Sequence, residues 1–293
     1  MKYLFFKNNY KKNFIVFSKN FLKIIEEVLE GFVLKKKVEG INIKSGAQTY
    51  YNYISKDIGV FLIHGFTGSP AEMIPFAKRF ESKGFSVYCP RLAGHGTDIN
   101  DFVNTTVEQW YQSAFDQYLE FKSRVKKTYI IGLSLGGQIA TYLSYIAGCE
   151  KLALFSTPYE IPDSKMKYAK AISIFIKKIK KKEEKPSVFL EKARELMINY
   201  SDCPYHYTKP IYQLYRSFKF FHYYIRKTNV PIFIAQSELD PVSSFKSPQK
   251  IFNKSKSSKI KQMKYLKKSS HVITLDYEAD ELFSMTHDFF LTN

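Results

Sequence analysis

The chain has 293 residues, 45% hydrophobic and 17% aromatic, which is enough apolar material for a sizeable core and near the upper end of what one domain holds. A formal net charge of +18 is the balance expected of a nucleic-acid or anionic-membrane partner. The excess is nearly all lysine, spread from Lys2 to Lys268, whereas base and phosphate reading favours arginine; with no nucleic-acid-binding module in the chain, nucleic acid is excluded as the expected partner.

At the start, Lys7, Lys11 and Lys12 precede a short apolar run at residues 14–17 that Lys19 and Lys23 soon interrupt. With no small-residue cleavage site behind it, this is neither a signal peptide nor a bilayer span. Phe14, Phe17, Phe21, Ile24, Ile25, Val28 and Leu29 recur at helical spacing with charged residues between them, which predicts an amphipathic helix over residues 14–34 within an N-terminal extension of residues 1–46. Two roles fit such a helix: packing on the body of the protein, or peripheral membrane contact as an interfacial anchor. Cys89, Cys149 and Cys203 are odd in number and far apart, with no CxxC and no histidine at metal-ligand spacing, so a reduced, cytoplasmic protein without a metal site is expected.

From residue 48 onward, β-type runs at 48–54, 58–63 and 85–89 alternate with a helical stretch at 73–83. That alternation predicts a mostly parallel sheet flanked by helices. Ser69, Pro70 and Glu72 have the pattern of a helix start, with serine as N-cap and glutamate completing a capping box. Thr105 and Glu108 offer a second capping box before a helix that carries Trp110. Buried strands follow at 128–131 and 151–155, two more at 231–236 and 260–266, and a closing helix at about 277–291. Between residues 159 and 229 the rhythm breaks into a lysine run at 177–185, read as a solvated helix face, a helical segment at 188–198, and an aromatic stretch from Tyr205 to Phe221. Placed inside residues 47–293, this predicts a small helical cap over the carboxyl ends of the strands, where ligands of such sheets bind.

Gly132-Leu133-Ser134-Leu135-Gly136 lies between the 128–131 strand and a helix starting near Gln138. The letters GxSxG are common in loops; the strand before and the helix after are what make them a nucleophile elbow, with Gly132 and Gly136 small for steric reasons. Acyl transfer also needs donors for an oxyanion, and His64-Gly65-Phe66-Thr67-Gly68 follows a strand in the right place to contribute one. The backbone N–H groups of Phe66 and Leu135 are the candidate oxyanion hole. Serine needs a base, and of the six histidines only His271 lies in a loop after a late strand. The orienting carboxylate falls between serine and histidine in chain order, which favours Asp240 over its neighbour Glu238; Asp276 follows the histidine and reads as a helix cap.

His64-Gly65-Phe66-Thr67-Gly68-Ser69, Gly94-His95-Gly96, Gly132 to Gly137, Asp240-Pro241-Val242 and Ser270-His271-Val272-Ile273-Thr274-Leu275-Asp276 run in the order found in bacterial carboxylesterases and monoacylglycerol lipases of the α/β-hydrolase superfamily, which the chain resembles from about residue 58 to its end. The resemblance implies an α/β-hydrolase fold with a small lid, hydrolysis of short to medium acyl esters or monoacylglycerols, and no metal or organic cofactor. Three features depart from the family: the N-terminal extension, the lysine-rich cap, and Ser270 where glycine is common before the histidine. A membrane-associated binding protein on the same scaffold is the competing expectation. The intact set of Ser134, Asp240 and His271 speaks for an enzyme, since a pure binder has no use for all three.

Overall fold

The computed structural model describes residues 42–160, 168, 171–173, 176–180 and 205–292. The chain divides after Ile41, and everything described belongs to the unit Asn42–Asn293. The helix expected at 14–34, the segment at 188–198, residues 181–185 of the lysine run and Cys203 lie outside the described residues.

Seven strands form the main sheet in the order β1-β3-β2-β4-β5-β8-β9. They are β1 (Tyr50–Asn52), β2 (Ile58–Ile63), β3 (Ser86–Cys89), β4 (Lys127–Leu133), β5 (Lys151–Phe155), β8 (Ile232–Ser237) and β9 (Lys261–Leu266). Only β1 runs antiparallel, against β3; all other pairs are parallel. Strands covered on both faces read as unbroken apolar runs, and β2, β4, β5 and β8 are buried almost throughout. The outer strand β9, with Lys261, Gln262 and Lys264, is partly exposed, as suits an edge that must not pair with another chain.

Successive side chains of a strand point to opposite faces, so each strand feeds two cores. Phe61, Ile63, Ile130, Leu152, Ile232 and Ile234 face one way. There they meet α3 (Val107–Lys122), α4 (Leu135–Ile146), α5 (Thr208–Tyr224) and α6 (Ser247–Lys254). Val60, Leu62, Ile131, Ala153 and Phe233 face the other way, onto α1 (Ile74–Glu81) and α7 (Ala279–Leu291). A short helix, α2 (Ile99–Asn104), precedes α3 and is capped by Asp98, which accepts from the amides of Asn100 and Asp101 at 2.7 and 3.0 Å. The arrangement is the α/β-hydrolase sheet flanked by helices that the sequence leads one to expect.

Several local expectations are corrected. Ser69 makes no capping bond and Glu72 is buried, so no capping box forms there; residues Pro70–Glu72 make a single 3₁₀ turn, and α1 starts only at Ile74. Pro75 is the reason, because a proline inside a helix lacks the N–H and clashes one turn back, whereas at the first turn it is harmless. The second capping box is shifted by one residue. Thr106 and Gln109 form it, while the Thr105 hydroxyl accepts the Trp110 indole N–H at 2.9 Å, and Glu108 instead pairs with Arg216 of α5.

The region expected to be a helical cap also contains a two-stranded antiparallel ribbon, β6 (Lys178–Lys180) with β7 (Tyr205–Tyr207). Part of the lysine run is therefore an exposed strand rather than a helix face, with Lys178 Nζ 4.2 Å from the centre of the Tyr205 ring. In α5, Phe218 and Phe221 are buried, and Gln213 Oε1 accepts the Val107 amide of α3 at 3.2 Å. Much of the aromatic stretch thus anchors this helix to the body.

Candidate active site

Parallel strands send all their carboxyl ends to one edge, and the predicted site residues follow there from four different strands. β2 runs into His64–Gly68, β4 into Ser134, β8 into Asp240 and β9 into His271.

Ser134 sits between β4 and α4 with φ 54° and ψ −116°, a left-handed conformation that a non-glycine residue holds only under constraint. Its amide donates to Phe155 O at 2.8 Å and its carbonyl accepts the Gly137 amide at 3.0 Å. A Cβ on Gly132 would stand 2.3 Å from Gly136 O, and one on Gly136 would stand 2.2 Å from Ile63 O, so the tight bend has a steric requirement for both glycines. Leu135 opens α4, and its N–H belongs to the unsatisfied first turn of that helix, where negative charge is favoured.

The His64–Gly68 loop is built around a neutral histidine. His64 Nδ1 donates to Gly65 O at 2.9 Å while Nε2 accepts the Leu92 amide at 3.2 Å. Burial, with His95 close by, holds its pKa well below the ordinary histidine value, in keeping with one donor and one acceptor nitrogen. Burial likewise lowers His95 to about 4. His64 therefore fastens the loop and is no candidate base. Thr67 takes φ 62°, and the Phe66 ring rests on Phe102 and Trp110 with ring centres 5.4 and 5.8 Å away. A Cβ on Gly65 would lie 3.5 Å from Ser134 Cβ, so this loop and the elbow are neighbours.

Asp240 and His271 are brought together. His271 Nδ1 lies 2.9 and 2.8 Å from the two Asp240 oxygens, and the Asp240 side chain is 1% exposed. Asp240 Oδ1 also accepts the amides of Val242 and Ser243 at 2.8 and 2.9 Å. An imidazole that donates through Nδ1 keeps Nε2 for a second partner. Glu238, the competing acid, is exposed and offers its backbone amide to Leu266 O.

Two further acidic residues shape the histidine loop. Asp276 Oδ2 accepts the Ser270 amide at 2.5 Å, a tie across the loop rather than the helix cap expected of it. Glu278 was not singled out by sequence, yet it accepts the amides of Lys267, Lys268 and Ser269 at 2.9, 2.8 and 2.9 Å. Burial works to raise its pKa, and these bonds with that of the Ser269 hydroxyl outweigh it, leaving the carboxyl below the ordinary glutamate range. The signal was a carboxylate shortly after a histidine-bearing loop rich in free amides. Glu72, read from sequence as part of a capping box, also has another role, its carboxyl accepting the Gly65 amide at 2.9 Å. Among the described residues no group of three or more His, Cys, Asp and Glu is placed to hold a metal ion.

With this geometry in view, the match of residues 55–278 to the family described as serine aminopeptidase, S33, spans all four loops. The chain belongs to that family. A carboxylesterase of Bacillus subtilis (strain 168) is 27% identical over 245 residues, covering 82% of this chain and 94% of that protein. A thermostable monoacylglycerol lipase of Bacillus sp. (strain H-257) is 39% identical over 102 residues, which are 35% of this chain and 40% of the relative. Among solved structures, one from a study of two metagenome-derived lipolytic enzymes has a TM-score of 0.76 at 22% identity, covering 85% of this chain and 99% of that one. A soluble variant of the monoglyceride lipase of Saccharomyces cerevisiae has a TM-score of 0.66 at 13% identity, covering 88% and 97%. At these identities the structures speak for the fold. No helix among the described residues is long and apolar enough to cross a membrane.

Proposed function

We propose that this chain is a carboxylic ester hydrolase in which Ser134 is the nucleophile, His271 its base and Asp240 the orienting acid. The observation that carries the reading is the buried Asp240 holding His271 Nδ1 at 2.8 Å on the sheet edge that also presents the strained Ser134 elbow. In the proposed reaction His271 Nε2 takes the serine proton as Oγ attacks the ester carbonyl, and the imidazolium returns that proton to the departing alcohol. Water, deprotonated by the same nitrogen, then releases the acid from Ser134. The N–H groups of Phe66 and Leu135 receive the oxyanion in both halves. Short to medium acyl esters or a monoacylglycerol are the proposed substrates, supported by the two Bacillus relatives.

The test is a hydrolysis series on aryl esters of increasing acyl length plus a monoacylglycerol, run beside Ser134→Ala. If apolar surface receives the acyl chain, kcat/KM rises by about twofold to fourfold per added methylene until that surface is used up. A flat series with a charged substrate preferred would overturn the acyl-chain assignment. Asp240→Asn separates orientation from binding: kcat falls by about 10⁴-fold because the imidazole is then held in the wrong tautomer, with KM little changed. Loss confined to KM would count against Asp240 as the orienting acid.

A further inference from the structure

A glutamate side chain 5% exposed is unusual without a cation beside it, because the charged form gives up its hydration. Glu72 sits in the 3₁₀ turn after the His64–Gly68 loop, and two observations show the molecule built around its carboxyl. Oε2 accepts the Gly65 amide at 2.9 Å. A Cβ on Gly68 would stand 2.2 to 2.3 Å from all three carboxyl atoms, so residue 68 must lack a side chain for the carboxyl to fit. The backbone of the same residue reaches the other half of the site: Glu72 O accepts the Thr274 hydroxyl at 2.7 Å, three residues beyond His271.

We infer that Glu72 is a positioning residue for the ester hydrolysis proposed above, its buried carboxyl holding the Gly65 amide so that the loop presents the Phe66 N–H, and setting a second acidic group within electrostatic reach of His271. The inference rests on that reading of the site.

The groups that act on this carboxyl are few. The Gly65 amide bonds to it and His271 acts on it through space; on α1, Arg79 pairs with Asp280 and Lys78 is exposed. Burial raises the Glu72 pKa to about 7, against the opposing pull of the Gly65 amide and His271. Near neutral pH the group is therefore poised between its two forms. The ionised form is the stronger acceptor for the Gly65 N–H and favours the imidazolium created when His271 takes the serine proton. Its pKa is raised above the unfolded value, so the folded state binds the proton more tightly, and stability falls as pH climbs from about 4.5 to about 7 and is flat above.

Three measurements test this. First, ¹³C-carboxyl NMR follows Glu72 in the wild type and in His271→Ala. Coupling is reciprocal, so without the imidazole the carboxyl titrates at higher pH by about half a unit or more. Equal midpoints would overturn the electrostatic link, and this readout needs no ester turnover. Second, melting is compared as a function of pH. Glu72→Gln melts about 5 °C above the wild type at pH 8, an advantage that disappears at pH 4.5; a variant less stable than the wild type at both pH values would make Glu72 structural. Third, on an aryl ester, Glu72→Gln lowers kcat by about tenfold with KM within about twofold, and its rate depends less steeply on pH around 7 than that of the wild type. Glu72→Ala, which frees the Gly65 amide as well, loses about a hundredfold in kcat. An unchanged rate and profile in Glu72→Gln would overturn the inference while leaving the esterase reading intact. If the wild type hydrolyses no ester, it is the esterase reading that fails, and the NMR titration still decides whether Glu72 and His271 are coupled.

Discussion

Alanine at Ser134 lowers kcat for aryl ester hydrolysis by about a millionfold, alanine at His271 does nearly the same, and the double variant loses no more than either. The non-additivity follows from the division of labour. A serine hydroxyl attacks an ester only as its proton leaves, so without the imidazole the nucleophile is idle, and without the hydroxyl the base has nothing to deprotonate. What survives is the contribution of the proposed oxyanion donors, the Phe66 and Leu135 amides, and of substrate binding, so KM stays near the wild-type value. A fluorophosphonate probe labels the wild type at Ser134 and leaves Ser134→Ala unlabelled. Retention of more than roughly one per cent of wild-type kcat in Ser134→Ala, with label on another side chain, would remove Ser134 from the mechanism.

How much of this is legible before the coordinates depends on whether the controlling interaction is local. Residues 58–63 and 151–155 are strands with the boundaries read from sequence, because a strand buried on both faces is an uninterrupted apolar run with polar punctuation at each end. The bend at Ser134 is equally readable: a strand, two glycines at fixed offset and a helix leave few alternatives for its backbone. Thr105 and Thr106 show where local pattern stops. Both fit a capping box, with Glu108 and Gln109 respectively, and the choice is made by Trp110, whose buried indole N–H needs an acceptor that Thr105 supplies. In the same way Glu72 matched a cap pattern, but Pro75 delays α1 and turns that carboxyl inward to the Gly65 amide. Residues Lys178–Lys180 form a strand only because Tyr205–Tyr207, far along the chain, pair with them; nothing within the lysine run announces it. The Asp240 and His271 pair lay between these extremes, since chain order placed both residues and only the fold could close the contact.

Gly136→Ala destabilises the protein by about 3 kcal/mol or more and removes activity with it. The added methyl would meet Ile63 O at 2.2 Å and His64 O at 2.6 Å. Both contacts are with backbone at the end of β2, a strand bonded on each side to β3 and β4, so no rotation of a side chain relieves them. Either α4 shifts away from the sheet or the start of the His64–Gly68 loop is displaced. The first moves Ser134 and the Leu135 amide; the second moves the Phe66 amide. Gly84→Ala is the control: that residue has φ 85° with nothing within 4 Å of the new Cβ, so its cost is backbone strain alone, about 1 kcal/mol, far from the reacting atoms. Thermal melts with kcat on the same samples separate the two. If Gly136→Ala melts with the wild type and hydrolyses esters at the same rate, α4 does not abut β2 as described, and the elbow loses its steric explanation.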